Sequence, residues 1–293
     1  MTLIVSRIDK NKIKIISDSK ITDKDAVRNN PLLGNLKSFI LNPQISVSFA
    51  GNVHYAEKFL TLFFSNQIQT LEELKLCCLS LNNESNNETD FLIASLIEKP
   101  NLCKVSNRKI SENLQNVWIG DKLGFEKYQT SLHGDNTEKK IFAKMSDAFE
   151  KVIADETIES ISDFQIAINT VYHQETDSDF FIYEMRMNMS FAPQTITVKK
   201  NEPVSIPFGG PEIGGFGSSY LRSIDFLRPA IAIHFPQGKF GILFCPLLNF
   251  NKGIIEKIED GEDFAKLIKE KYGIPLEGIV ASNGSRMKRI VIK

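Results

Sequence analysis

β-Branched and apolar residues dominate the opening of the chain. Thr2 to Ile8 and Lys12 to Ser17 flank the polar turn Asp9-Lys10-Asn11, a pattern that predicts a β-hairpin. A further strand runs from Lys37 to Leu41, breaks at Asn42-Pro43 and resumes from Ile45 to Ala50. The period then changes. Tyr55, Phe59, Leu60 and Phe63 recur at helical spacing within Val53 to Phe64, and Leu71 to Leu81 repeats leucine in the same way. After the polar loop Asn82 to Asn87, Phe91 to Ile97 and Leu102 to Val105 predict a second hairpin, and Val117 to Gly120 a short strand ending in a tight turn. Helices are predicted over Leu123 to Leu132 and Glu138 to Ala154, then strands over Phe164 to Tyr172 and Phe180 to Met187.

This order is strands, two helices, strands, two helices, strands. Two strand groups that bury one face on each other, each with a helix pair outside, make an α+β four-layer αββα sandwich. The expected domain spans residues 1–188. Residues 189–293 are expected to form a C-terminal extension, packed on the core or standing as a small α+β unit. It holds Thr195 to Lys199, the hairpin-like Pro229 to Phe235 and Phe240 to Cys245, and a charged helix, Asp263 to Tyr272.

Composition narrows the function classes. With 293 residues and 42% hydrophobic content, the chain can bury a large core. A formal net charge of -1 gives no global attraction to nucleic acid or to an acidic membrane. No apolar run approaches the roughly 20 residues of a membrane helix. The first residues have no basic region or small-residue cleavage site, so they do not form a signal peptide, and a cytoplasmic location is expected. Cys77, Cys78, Cys103 and Cys245 lack CxxC spacing and fit buried free thiols. Four histidines with no helical pairing argue against a metal site, and no cofactor is expected. His54 and His173 are assigned structural or exposed positions. The Gly-rich stretch Phe208 to Tyr220 matches neither phosphate-loop pattern and fits a surface loop.

The first hairpin carries the chemistry. With its turn centred on Lys10, residues whose numbers sum to about 20 face each other, so Thr2 lies opposite Asp18 with Cβ atoms roughly 5 Å apart. Lys37 opens the third strand, the next neighbour if the meander continues. A hydroxyl, a carboxylate and an ammonium then converge at one sheet end. A terminal Thr beside a surface Asp–Lys pair fits the same spacing.

These residues resemble a known family. Thr2-Leu3-Ile4-Val5 and Ile16-Ser17-Asp18-Ser19-Lys20-Ile21-Thr22 are similar to the opening of proteasome β-subunits, including their "DSRxT" segment. Asn35-Leu36-Lys37, Asn42-Pro43 and Phe49-Ala50-Gly51 resemble the lysine strand and the "AG" turn of the same family, the N-terminal-nucleophile hydrolases that include the bacterial HslV-type peptidases. The resemblance covers Thr2 to Met187 and is densest in the first sixty residues. It implies a threonine hydrolase in which Thr2 Oγ attacks an amide carbonyl and the α-amine of Thr2 takes the proton. Lys37 would stabilise the Thr2 oxygen, Asp18 would orient Lys37, and the Gly51 N–H would bind the oxyanion. Such chemistry requires removal of Met1, for which Thr2 is small enough. A peptide or amide substrate, and assembly into a homo-oligomer with a ring as one candidate form, follow from the same resemblance.

Departures from the family pattern suggest other readings. Asp121 stands where the family has a serine, and Glu159 and Ser162 are the nearest match to its later Asp-x-x-Ser, followed by Asp163 and Phe164 instead of glycines. A substrate pocket would be lined by Ile21, Asn35, Phe39, Phe49 and Val53, although core packing explains Phe39 and Phe49 equally well. A catalytically inactive scaffold or binding subunit of this fold is therefore one alternative. A hydrolase of small amides is another.

Overall fold

The computed structural model describes residues 2–19, 36–155, 157–158, 160–161, 164–187, 194–199, 202–206, 219–236, 238–250, 252–281 and 287–293. It is a mixed α/β protein with eighteen strands and six helices among these residues. The chain divides into two compact units, one comprising Met1–Lys20 and Leu36–Ile182, the other including Tyr183–Lys293.

Two five-stranded sheets build the first unit. One has the order β10-β9-β2-β1-β8, from Ser178–Met187, Phe164–His173, Lys12–Ser17, Leu3–Asp9 and Asn116–Gly120. The other runs β3-β4-β5-β6-β7, from Ser38–Asn42, Ile45–Ala50, Asp90–Ser95, Asn101–Ser106 and Lys109–Leu114. Strands β1 and β8 of the first sheet pack on β4, β5 and β6 of the second. Helices α1 (Val53–Phe64) and α2 (Leu71–Glu84) pack together, and α2 rests on β5, β6 and β7. Helices α3 (Lys122–His133) and α4 (Ile141–Ile153) also pack together, α3 on β1 and α4 on β2 and β9. Leu3, Val5, Ile16 and Ala167 of that sheet share a core with Tyr128, Met145, Phe149 and Val152 of α3 and α4.

Local chemistry accounts for the element ends. Thr70 and Glu73 form a reciprocal capping box that starts α2. Asn52 caps α1, and Phe59 of that helix packs against Phe91 of β5 with ring centroids 6.1 Å apart.

The register differs from expectation by one residue. Asp9 pairs with Lys12 and Ile4 with Ser17, so paired numbers sum to 21. The cause is a two-residue turn, Lys10-Asn11, with Lys10 at φ 55°, where a turn centred on Lys10 alone was expected. The meander does not continue either. The outer neighbour of β2 is β9, and β3 belongs to the other sheet.

In the second unit, a six-stranded antiparallel sheet has the order β16-β15-β14-β13-β17-β18. Its strands are Ile254–Lys257, Phe240–Phe244, Ile231–Phe235, Ser219–Ser223, Leu276–Ala281 and Met287–Ile292. A hairpin, β11 (Gln194–Lys199) with β12 (Glu202–Ile206), and the short α5 (Pro246–Asn249) complete the unit with α6. Helix α6 (Gly261–Tyr272), capped by Asp260, lays Phe264, Ala265 and Ile268 on Ala232, Leu243 and Leu276. No described helix is long and apolar enough to cross a membrane. The four cysteines are free thiols, with Cys78, Cys103 and Cys245 buried; burial pushes Cys103 up to about 12 and Cys245 up to about 11.

His234 on β14 is fully buried, bonded through Nε2 to the Ile258 carbonyl at 2.9 Å, with Nδ1 unpartnered. Burial holds its pKa below the ordinary 6.5, against the opposing pull of the Ile258 bond and Asp260. The unfolded chain therefore takes up this proton first as pH falls, and His234's contribution to stability is present above pH 6.5 and lost below it. Hydrogen exchange of β14 amides is expected to accelerate between pH 7.5 and 5.5 beyond the intrinsic trend, and His234→Gln to remove that excess. Identical pH profiles in the two proteins would contradict the assignment.

Candidate functional site

The end of the first hairpin brings three of the sequence-predicted residues together. Because the ladder pairs Ile4 with Ser17, Asp18 falls opposite Leu3, and the Leu3 N–H donates to Asp18 Oδ1 at 3.1 Å. Thr2, one residue beyond, donates its Oγ1 hydrogen to the same carboxylate oxygen. Lys37, just before β3 in the other sheet, donates from Nζ to Asp18 Oδ2 at 2.8 Å. Thr2 is 3% exposed, Asp18 0% and Lys37 6%. The Asp–Lys pair is thus buried, not a surface pair, and its charges are held against each other where water cannot screen them.

Strand β8 closes the site from the other side. Leu3 pairs with Gly120, and the Asp121 N–H donates to the Thr2 carbonyl at 2.6 Å. Gly120 has φ +100°, and a Cβ there would collide with the Thr2 carbonyl oxygen and lie 3.2 Å from the Ala50 Cβ. Only a glycine lets the Thr2 backbone and the end of β4 approach this closely. Gly51, the next residue, has φ +130°, and a side chain there would strike the Glu88 carbonyl. It leads into α1 through the Asn52 cap.

Asp121 serves the local fold first. Its Oδ1 caps α3 by accepting from the Gly124 N–H at 2.8 Å, and its Oδ2 accepts from Ser160 Oγ at 2.6 Å. Ser160 was missed from the sequence. The available signal was its place between Ile158 and Ile161, both buried, in a segment whose turns bond Ile158 to Asp155 and Ile161 to Ile158. Glu159 and Ser162 lie outside the described residues, as do Ile21 and Asn35. Phe39 and Phe49 are buried and stacked at 5.8 Å with an interplanar angle of 10°, while Val53 opens α1 half-buried. His54 is exposed, and His173 bonds Thr176 through Nδ1 at 3.0 Å. The Gly-rich stretch 208–218 lies outside the described residues.

No protein-family model matches the chain, and no curated protein does. Among solved structures, it is similar to a eukaryotic HslV from Trypanosoma brucei, at 13% identity and a TM-score of 0.40, over 53% of this chain and 92% of the other.

Proposed function

We propose that this protein is a proteasome-like threonine hydrolase that cleaves amide or peptide bonds with Thr2 as an N-terminal nucleophile. The observation that carries this reading is the buried Thr2–Asp18–Lys37 group, a hydroxyl, a carboxylate and an ammonium linked in series at one sheet end. In this reading, the packing of two sheets between two helix pairs is the four-layer αββα sandwich of the family, with residues 1–188 as the hydrolase domain and 189–293 as its extension.

Once Met1 is removed, the Thr2 α-amine has an unperturbed pKa near 7.7–8.0, close to where a general base is most effective. It takes the Oγ proton as Oγ bonds to the substrate carbonyl carbon, and later returns a proton to the leaving amine. Water then splits the Thr2 ester, releasing the acid and restoring the hydroxyl. Lys37 supplies positive charge beside Oγ, and Asp18 fixes Lys37. The Gly51 N–H serves the oxyanion, and Ile21, Asn35, Phe39, Phe49 and Val53 shape the substrate pocket. Asp121 supports Thr2 through its backbone N–H. The family likeness further supports a cytoplasmic homo-oligomer, with a ring as its candidate form.

A second reading, a non-catalytic scaffold, is favoured by the Thr2 hydroxyl donating to Asp18 and by the full engagement of Asp121 with Gly124 and Ser160. Labelling decides between the two. Purified chain lacking Met1 by intact mass is expected to form an adduct with an electrophile selective for N-terminal threonine. The adduct should disappear in Thr2→Ala and persist in Thr22→Ala. A chain that keeps Met1 in its native host, or loses it and stays unlabelled, would be the scaffold.

A further inference from the structure

One face of the six-stranded sheet in the second unit is covered by α6. The other carries a cavity of about 410 Å³, within the roughly 300–1,000 Å³ typical of small-molecule sites. Every residue lining it lies within Tyr183–Lys293, the second unit. The strand ladder lays out its floor. Arg222 pairs with Ile231 on one side and Glu277 on the other, while Tyr220 pairs with Ile279, and Ile279 with Arg289. Alternation sends these side chains to one face, opposite Leu221 and Leu276, which share the core with α6. At the end of β10, Tyr183 and Met185 add apolar wall, and Glu184 between them alternates to the other side of its strand and has a partner of its own. Ile279 is 47% exposed although β17 is an interior strand, so the floor of the cavity is an uncovered apolar surface.

The charges on this floor are unequal. Arg222 directs Nε and Nη2 to a single oxygen of Glu277, Oε1, at 2.9 and 2.6 Å. Arg289 Nη2 stands 3.7 Å from the other oxygen, close enough to pair its charge but too far for a hydrogen bond. Two guanidiniums thus share one carboxylate. Among the described residues, the Nη1 hydrogens of Arg222 and the guanidinium hydrogens of Arg289 have no protein acceptor. Planar guanidinium forks recognise carboxylates, and a surplus of one positive charge matches a monoanion better than a phosphate dianion. We infer that this cavity binds a carboxylic acid with an apolar body, the acid on Arg222 and Arg289 and the body on Tyr220, Ile231 and Ile279. The C-terminal end of an apolar peptide has this chemistry, and so does a medium-chain fatty acid. The inference is independent of whether Thr2 is a nucleophile.

Calorimetric titration of the full chain tests it, with N-acetyl-phenylalanine, octanoate, N-acetyl-phenylalaninamide, phenethylamine and phenyl phosphate as probes. At least one of the two acids should bind with a Kd below about 1 mM. The amide, which keeps the shape of its acid and loses the charge, should bind at least about tenfold more weakly than that acid. The tighter of the two acids identifies the source, a peptide end or a fatty acid, and either order supports the assignment. Arg289→Gln should weaken the acid about tenfold without lowering the melting temperature, because its ion pair is largely exposed. Failure of both acids to bind overturns the inference, as does an amide that binds as well as its acid, or an unchanged affinity in Arg289→Gln. Tighter binding of phenethylamine would mean that Glu184 or Glu277 sets the charge of the cavity, and tighter binding of phenyl phosphate that the site is built for a dianion; each also overturns it. The comparison of acid with amide needs only the parent protein, so it decides the matter even if the variant fails to fold.

Discussion

Asp18→Asn is expected to lower the free energy of unfolding by about 3–5 kcal/mol, several times what an exposed ion pair contributes. The substitution preserves shape, and the asparagine oxygen can still accept from the Leu3 N–H, so packing changes little. What it removes is the charge opposite Lys37, whose buried ammonium then loses the carboxylate 2.8 Å away. Lys37→Met should cost less, since the Asp18 carboxylate keeps the Thr2 hydroxyl and the Leu3 N–H as donors. Combining Asp18→Asn with Lys37→Met should recover most of the loss from Asp18→Asn alone, because the ammonium that lost its carboxylate is gone too. Urea unfolding at constant slope measures all three. A loss below about 1 kcal/mol for Asp18→Asn would mean that water reaches the pair, and that it behaves as a surface contact.

The sequence revealed the elements of the first unit more readily than their neighbours. Period changes marked both helix pairs and most strands, because each has one face against a core. Strand β7 escaped notice because KISENL is largely exposed and has no apolar alternation to detect. The strands β13, β16, β17 and β18 were missed for another reason. They are short runs such as LEGIVA and MKRIVI, and β13 and β17 moreover pair with each other across a long stretch of chain, as when Tyr220 pairs with Ile279. Periodicity cannot supply a long-range partner. At the site, spacing alone brought Thr2 near Asp18, but it placed the two in direct opposition, and Lys37 on the adjacent strand. The turn holds two residues instead of one, and Lys37 reaches Asp18 from the other sheet. Asp121 looked like a substituted catalytic support because the family pattern has a hydroxyl there. The three-residue spacing to Gly124 at the start of α3 identifies it equally as an N-cap.

Gly120→Ala is expected to affect Thr2 more than any change of similar size elsewhere in the chain. Two costs coincide at this position. The backbone φ of +100° is one that a residue with a side chain rarely adopts, and the new methyl would overlap the Thr2 carbonyl oxygen. Neither the Ala50 methyl nor the Thr2 backbone is a flexible side-chain end that can swing aside. Relief must come from moving β8 away from β1, which stretches the 2.6 Å bond from the Asp121 N–H to the Thr2 carbonyl. The stability cost should be about 2–3 kcal/mol, from backbone strain and overpacking together. The larger effect falls on chemistry. A shift of Thr2 by about 1 Å relative to Asp18 and Lys37 is expected to slow adduct formation roughly 100-fold. Gly124→Ala supplies the control. Its Cβ would meet the terminal methyl of Ile161, which can rotate, and alanine favours the helix, so Thr2 should label at close to the parent rate. Equal losses of labelling in Gly120→Ala and Gly124→Ala would mean that both act through general destabilisation, and that the glycine at the end of β8 does not set the position of Thr2.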